Sequence, residues 1–525
     1  MLLKLFDIIN RKILKRFECT ALNPKQFQDK LLFEILNSNK NCEYGKKYEF
    51  KKIDSVEKFQ KNIPIVKYKD LEEKIERMKN REKNILTSKK IIFFATTSGS
   101  TSTPKFIPIT KERLKVFKKE YTLWAIFSLK NHPEMLKGKS LLLTGSSLDG
   151  RTKAGISHGS ISGYLAKHLP WYIRKKLVVP FTIYNTKNFS EKIHKIAKLG
   201  LENNVSQLGL SSPIEILLLL DYIENYKDDL INEIYDSGNK KRAEELKRLP
   251  NFTPKNYWPN LALLNYIKGG FSQFYLDRVR EKVGPEMAIR DPGIYSSEGR
   301  ISICLSDEGA KGVLAVDSAF FEFIEIKNGN LGDVFTISEL ELSKKYSILI
   351  TTKEGLYRYD LGDVIRVVGF YKKLPIVEFV DRRERGISMA GEHVTESELI
   401  KSVKEASVKL NINLVAFITV PNIESEKPKY EFLVEMKKSI NKDEAIKLLA
   451  GIEYELQKNN FVYKKMRTEY GRMNSPLLSV VKKGTFDDLD RKRIQETGVK
   501  QMKPINLFPD PKFKTGFEIE NTYSI

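Results

Sequence analysis

Between residues 93 and 110 the chain reads FFATTSGSTSTPKFIPIT, a run of hydroxyl side chains around one glycine, closed by Pro104 and Lys105. Such a segment offers hydroxyls, backbone N–H groups and an ammonium, an inventory suited to phosphate oxygens. Ser98, Ser100, Thr101 and Ser102 supply the hydroxyls. Gly99 lets the backbone come close to a ligand, and Lys105 adds a point charge. The spacing is not that of a Walker loop, which needs a glycine directly before the lysine and Ser or Thr directly after it. Here Pro104 precedes and Phe106 follows. Taken alone, the same composition also describes a Ser/Thr-rich surface loop.

Two further stretches carry chemistry. In IYSSEGR, Tyr295, Ser296, Ser297 and Glu298 run into Gly299. A carboxylate beside a tight glycine turn and small hydroxyls can ligate a magnesium ion that keeps its waters and binds phosphate. A solvated turn residue is the plain alternative for Glu298. In GLYRYDLGDVIRVVGF, Asp363 follows Gly362 at a strand junction. A carboxylate there can accept hydrogen bonds from two ribose hydroxyls, and it can also simply cap a turn. Tyr357 and Tyr359 share one face of an alternating strand, which packing alone would explain.

The elements that must position these residues follow from periodicity. Ile91 to Ala95 is an apolar run of strand length, and the residues after Thr110 have helical spacing with Thr110 as N-cap. The hydroxyl segment therefore hangs from the end of a buried strand, the usual place for a ligand in an α/β sheet. Residues 1–90 read as mostly helical, and the middle of the chain alternates short apolar runs with amphipathic helices, as in an α/β sheet. From 301 to 381 the pattern becomes short strands with glycine turns, an antiparallel region, and after 384 it reads as a compact α+β unit. The change of style near DRRERG sets the expected boundary: a large domain over 1–383 and a small mobile one over 384–525, with a hinge between them.

Composition bounds the class. A chain of 525 residues exceeds what one core usually supports, and 41% hydrophobic with 10% aromatic residues is ordinary for a soluble globular protein. The most apolar stretch, PIEILLLLDYI, is broken by Glu215 and Asp221 and reads as a buried helix, so no membrane span is expected. The basic, amphipathic N-terminus has no signal-peptide pattern and reads as a first helix docked by its apolar face, with a membrane-surface helix as alternative. Three scattered cysteines and five histidines never at ligand spacing exclude a disulfide framework and a cysteine-based zinc site, and suit a reducing cytoplasm. The formal charge of +23 comes mostly from lysine spread along the chain among 67 acidic residues, not from a basic stripe with interleaved aromatics, so nucleic acid is not the expected partner.

Read together and in order, the three motifs resemble the adenylate-forming superfamily of acyl- and aryl-CoA synthetases, non-ribosomal adenylation domains and luciferase. The likeness is closer to the Gretchen Hagen family of acyl acid amido synthetases, on KFIPIT, EGLYRYDLGDVIR and GTFD. It implies a luciferase-like architecture. It also implies a two-step reaction: a carboxylate attacks the α-phosphate of ATP to leave an acyl-adenylate and pyrophosphate, and an amine, typically of an amino acid, then takes the acyl group. On this resemblance Ser98, Gly99, Ser100, Thr101 and Ser102 cradle phosphates with Lys105 nearby, and Glu298 holds magnesium. Tyr295, Ser296 and Ser297 line the adenine and α-phosphate region, and Asp363 holds the ribose with Arg382 or Arg383 following. A lysine from the small domain completes the adenylation site. Lys503 in VKQMKPINL is the candidate, with Lys500 as competitor because the family's spacing is not kept. The acyl pocket is expected around Leu123, Trp124, Ser211, Ser212, Gly269 and Gly270, with core packing as the alternative for Trp124. The implied partners are an aryl, indolyl or apolar acid and an amino acid or other amine, on a monomer or weak dimer. A thioester-forming ligase and a non-catalytic nucleotide- or acid-binding protein on the same scaffold are the competing readings.

Overall fold

The computed structural model describes residues 2–97, 105–186, 188–209, 213–269, 275–327, 330–383, 386–387, 389–390, 392, 394–425, 427–469, 473–497 and 505–525. Helices Leu2–Leu22, Pro24–Asn39, Val56–Asn62 and Tyr68–Lys79 precede the first strand. Their starts have local causes. Pro24 sits where its missing N–H is not needed, Ser55 accepts from the Lys58 N–H at 3.1 Å, and Asp70 accepts from the Lys67 N–H at 2.7 Å. Leu32, Leu36, Phe59, Leu71 and Ile75 turn inward and join the first core.

Strand Ile91–Thr97 lies inside a four-stranded sheet, antiparallel to Lys105–Thr110 and parallel to Ser157–Gly159. The hydroxyl segment therefore joins two antiparallel strands, where the sequence reading had a strand leading into a helix. KFIPI pairs residue for residue with FFATT, and Thr110 with Ile91 past a register shift, as an edge strand, the position in a sheet that tolerates Pro108. Helix Lys111–Asn131 begins only afterwards. Thr110 is its N-cap as expected, accepting from the Arg113 N–H at 3.1 Å while donating to the buried Glu354 carboxylate at 2.7 Å.

A second sheet is wholly parallel: Lys139–Leu142, Val205–Gly209, Leu263–Asn265 and Ile289–Arg290, adjacent in chain order. Helix Pro213–Asn225, the stretch read as buried, packs Ile216, Leu219, Leu220 and Ile223 into the core of this part. The third sheet has seven strands between Ser302 and Arg382, with Tyr359–Tyr371 and Leu374–Arg382 as its long central hairpin. Tyr357 lies just before that hairpin. It is fully buried, stacks 4.8 Å from Tyr44, and donates to the Leu86 carbonyl.

After residue 394, helices Glu396–Leu410 and Lys442–Asn459 pack on a sheet of Leu414–Asn422, Lys429–Met436, Leu477–Val481 and Ile519–Ser524, around a core of its own. This C-terminal part meets the rest through Ser397 Oγ donating to Asp381 at 2.8 Å, Arg278 against Asp487 at 3.1 Å and Lys437 against Glu281 at 2.6 Å. Ile400 packs against the cores of both sides. The chain is thus a large α/β unit with an antiparallel sheet, followed by a smaller α+β part. Among the described residues no helix is long and apolar enough to cross a membrane.

Candidate active site

Ser98, Gly99, Ser100, Thr101 and Ser102 lie outside the described residues, but the base of their segment is defined. Thr97 pairs with Lys105 and Thr96 with Phe106. The Phe106 N–H donates to Tyr68 Oη at 2.8 Å, and the Lys105 ammonium sits 5.7 Å from the Tyr68 ring centroid. Tyr68 opens helix Tyr68–Lys79, so that helix fixes the point where the chain returns from the segment. Burial pushes the Tyr68 hydroxyl up to about 12. The Phe106 N–H opposes this, and the carboxylates of Glu72, Glu76 and Glu298 add to it. Lys105 thus lies against Tyr68, whose hydroxyl feels the Glu298 charge.

Glu298 is carried by a tight turn in which Tyr295 pairs with Arg300. The Ser296 N–H donates to the Gly299 carbonyl at 2.9 Å and its hydroxyl to the same oxygen at 3.2 Å, leaving Ser297 half-buried at the tip. A Cβ on Gly299 would lie 2.5 Å from the Arg113 guanidinium, so any side chain here would displace that guanidinium. Arg113 is buried and donates to the backbone carbonyls of Glu298 and Ser318. It holds the Glu298 main chain and leaves the carboxylate alone. Glu298 as a residue is buried. No group of three or more His, Cys, Asp or Glu that could hold a metal occurs among the described residues. The donor set fits a magnesium ion that keeps waters and takes phosphate oxygens, and does not fit an all-protein cage.

Asp363 faces Arg382 across the long hairpin, in register, at 3.4 Å. The preceding Gly362 has φ +73°, and its N–H donates to Asp360 at 2.9 Å. The other Asp360 oxygen accepts from Arg383, whose own N–H donates to the Gly362 carbonyl at 2.8 Å. Two Asp–Arg pairs therefore stand side by side at the end of the hairpin. The buried one fixes the left-handed glycine, and the more exposed one presents Asp363. Sequence reasoning passed over Asp360, although a second carboxylate two residues before the glycine of DLGD was its signal.

Of the expected acyl-pocket residues, Leu123 and Trp124 sit on helix Lys111–Asn131 inside the core. Trp124 is 1% exposed, and its indole N–H donates to the Asp291 carbonyl at 3.1 Å. Asp291 was also missed. Its buried carboxylate accepts from the Lys268 N–H at 2.6 Å and the Gly293 N–H at 2.7 Å. Burial pushes this carboxyl up, with the Gly293, Lys268 and Gly269 N–H groups acting against it. Asp291 thus ties the Lys268–Gly269 turn, the turn before Tyr295 and the Trp124 helix to one point. Its signal was the DPG directly ahead of IYSSEG. Ser211, Ser212, Gly270, Lys500 and Lys503 lie outside the described residues.

The chain matches the model of the GH3 family N-terminal domain over residues 13–287, that of the GH3 family central domain over 312–382 and that of the GH3 family C-terminal domain over 397–512. The chain belongs to the GH3 family. Among curated relatives of this GH3 chain, indole-3-acetic acid-amido synthetase GH3.2 of Arabidopsis thaliana is 26% identical over 449 residues, covering 75% of this chain and 81% of the relative. From the same plant, 4-substituted benzoates-glutamate ligase GH3.12 is 24% identical over 539 residues, covering 92% of each. Among solved structures, the AtGH3.15 acyl acid amido synthetase in complex with 2,4-DB superposes with a TM-score of 0.87 at 22% identity, covering 98% of this chain and 97% of that one. At that identity the likeness is one of fold.

Proposed function

We propose that this GH3 chain is an ATP-dependent acyl acid amido synthetase: it activates a carboxylic acid as an acyl-adenylate, releasing pyrophosphate, and passes the acyl group to the amine of an amino acid. The observation that carries this reading is the base of the hydroxyl segment, where Tyr68 receives the Phe106 N–H and lies against Lys105, in a chain of this family. Transfer at the α-phosphate asks for positioning and charge neutralisation more than for covalent help, and these are the groups present.

In this reading Ser98, Gly99, Ser100, Thr101 and Ser102 cradle the phosphates, and Lys105 adds a cation at the exit. Glu298 would hold magnesium, which would supply positive charge against the phosphates. Tyr295, Ser296 and Ser297 line the nucleotide side of the same turn. Asp363, oriented by Arg382, takes the ribose hydroxyls, and Lys503 serves the adenylation step from the C-terminal part. The names of the relatives support an auxin-type or benzoate-type acid and an amino acid acceptor.

The test is acid-dependent exchange of pyrophosphate into ATP across aryl, indolyl and fatty acids. Exchange with one class of acid supports adenylation and names half the substrate pair. ATP binding without exchange for any acid favours the non-catalytic reading, and absence of ATP binding overturns the proposal. Product analysis with amino acids and with free coenzyme A then separates amide from thioester formation.

A further inference from the structure

Behind the Glu298 turn lies a buried carboxyl that the reaction does not use. Glu120 sits on helix Lys111–Asn131, seven residues after Arg113 and so on the same face. It is 3% exposed, and neither of its carboxylate oxygens has a hydrogen-bond partner among the described residues. It borders a cavity of about 30 Å³ that is also lined by Phe17, Thr20, Leu123, Leu314 and Val316. The lining is mostly apolar, so it offers the carboxyl little to bond to.

The charged groups that act on Glu120 are Arg113 and Lys119 of its own helix, Arg300 at the end of the Glu298 turn, and Asp317. Lys119 and Asp317 are already engaged, with each other at 2.5 Å and, for Asp317, with Arg16 at 2.6 Å. The two arginines are spent on main-chain carbonyls. Arg113 holds Glu298 and Ser318, and Arg300 holds Pro292 and, at 3.2 Å, Ser302. These carbonyls belong to the segments that define the Glu298 turn. A buried carboxylate that feels two guanidinium charges would ordinarily pair with one of them, as ionised groups make the stronger hydrogen bonds. Here it pairs with neither.

We infer that Glu120 is a positioning residue kept as a neutral acid, so that Arg113 and Arg300 stay on the carbonyls of the Glu298 turn and do not turn toward Glu120. Burial pushes the Glu120 carboxyl up to about 8, with Arg113 and Arg300 opposing and too weak to restore the ordinary value. Ionisation above that pH creates an anion that competes for both guanidiniums and loosens the turn that carries Glu298. This rests on the proposed function for its kinetic readout, and has a second readout that does not.

The test compares wild type, Glu120→Gln and Glu120→Leu. The kinetic readout is kcat/KM for ATP in pyrophosphate exchange from pH 7 to pH 9. The independent readout is the pH dependence of Tm of the ligand-free protein. One ionisation near 8 predicts about a tenfold fall in wild-type kcat/KM between pH 7 and pH 9, carried by KM for ATP, and no such fall in either variant. The Tm of the wild type should drop as pH rises toward 8 more steeply than that of Glu120→Gln. If Glu120→Gln or Glu120→Leu keeps the wild-type alkaline limb, or if the variants' Tm runs parallel to wild type, the inference is overturned. Absence of any exchange at all would count against the proposed function, while the Tm comparison would still decide the role of Glu120.

Discussion

Arg358 and Glu322 form a buried ion pair at 3.1 Å, with side chains 6% and 1% exposed, in the middle of the antiparallel sheet. Arg358 also donates to the carbonyls of Gln60 at 2.7 Å and Ile63 at 2.8 Å, and adopts φ +45° to do so. One guanidinium thus ties the end of an N-terminal helix to the strand that leads into Asp363. Burial pushes the Glu322 carboxyl up in spite of its partner, so the pair holds position at an electrostatic cost.

Removing one member should therefore be worse than removing both. Arg358→Met is expected to cost about 3–5 kcal/mol, because it strands a buried carboxylate. Arg358→Met with Glu322→Leu should recover part of that loss. Urea midpoints of the two variants check this. A double variant no more stable than the single would contradict it.

Glu298→Gln keeps the turn, since Arg113 grips the Glu298 carbonyl and not its carboxylate. Stability should be nearly unchanged while acid-dependent exchange falls by about 100-fold or more, the scale seen when a charge-stabilising group is removed from a transition state. A thermal melt beside a magnesium titration of the rate separates the two. Loss of stability matching the loss of rate would point to a structural role.

Asp363→Asn should raise KM for ATP by about tenfold, as expected for one lost charge-assisted hydrogen bond of about 1.4 kcal/mol or more. Asp360→Asn acts one step back. It weakens the hold on Gly362 and Arg383, so it should lower stability as well as ATP affinity. Calorimetric titration of ATP against both variants is the check. Equal stability for the two would be inconsistent with these roles.

Asp490 faces Tyr275 and Arg278 across the junction with the C-terminal part. Burial pushes its carboxyl up to about 6 from an ordinary 3.8, with Arg493 and Arg278 opposing and Asp487 adding. A raised carboxyl binds its proton more tightly in the folded state, so stability falls as pH rises from about 3.8 to about 6 and is level above that. Asp490→Asn should therefore raise Tm at pH 7 and leave it unaltered near pH 4. The same difference at both values would rule out titration as the cause.

Much of the fold was legible because it rests on local chemistry. The period of the apolar residues marked the buried helix Pro213–Asn225, the α/β alternation and the antiparallel run, and Thr110 announced its cap. KFIPIT was not legible as a strand. Its pairing with FFATT is a contact between segments, and Pro108 reads locally as a breaker.

At the candidate site, the sequence by itself determined which groups are available: Lys105, Glu298, Asp363 and a glycine wherever the backbone must come close. Residue type and neighbouring turn chemistry are local properties, so they can be read without a fold. Only the tertiary structure decided how these groups are held. Arg113 reaches Glu298, Asp291 gathers two turns and Trp124, and Arg383 locks Asp360. Each of these joins residues distant in sequence, and burial decides whether a charge is spent on a carbonyl, paired with a partner or, as at Glu120, left with neither.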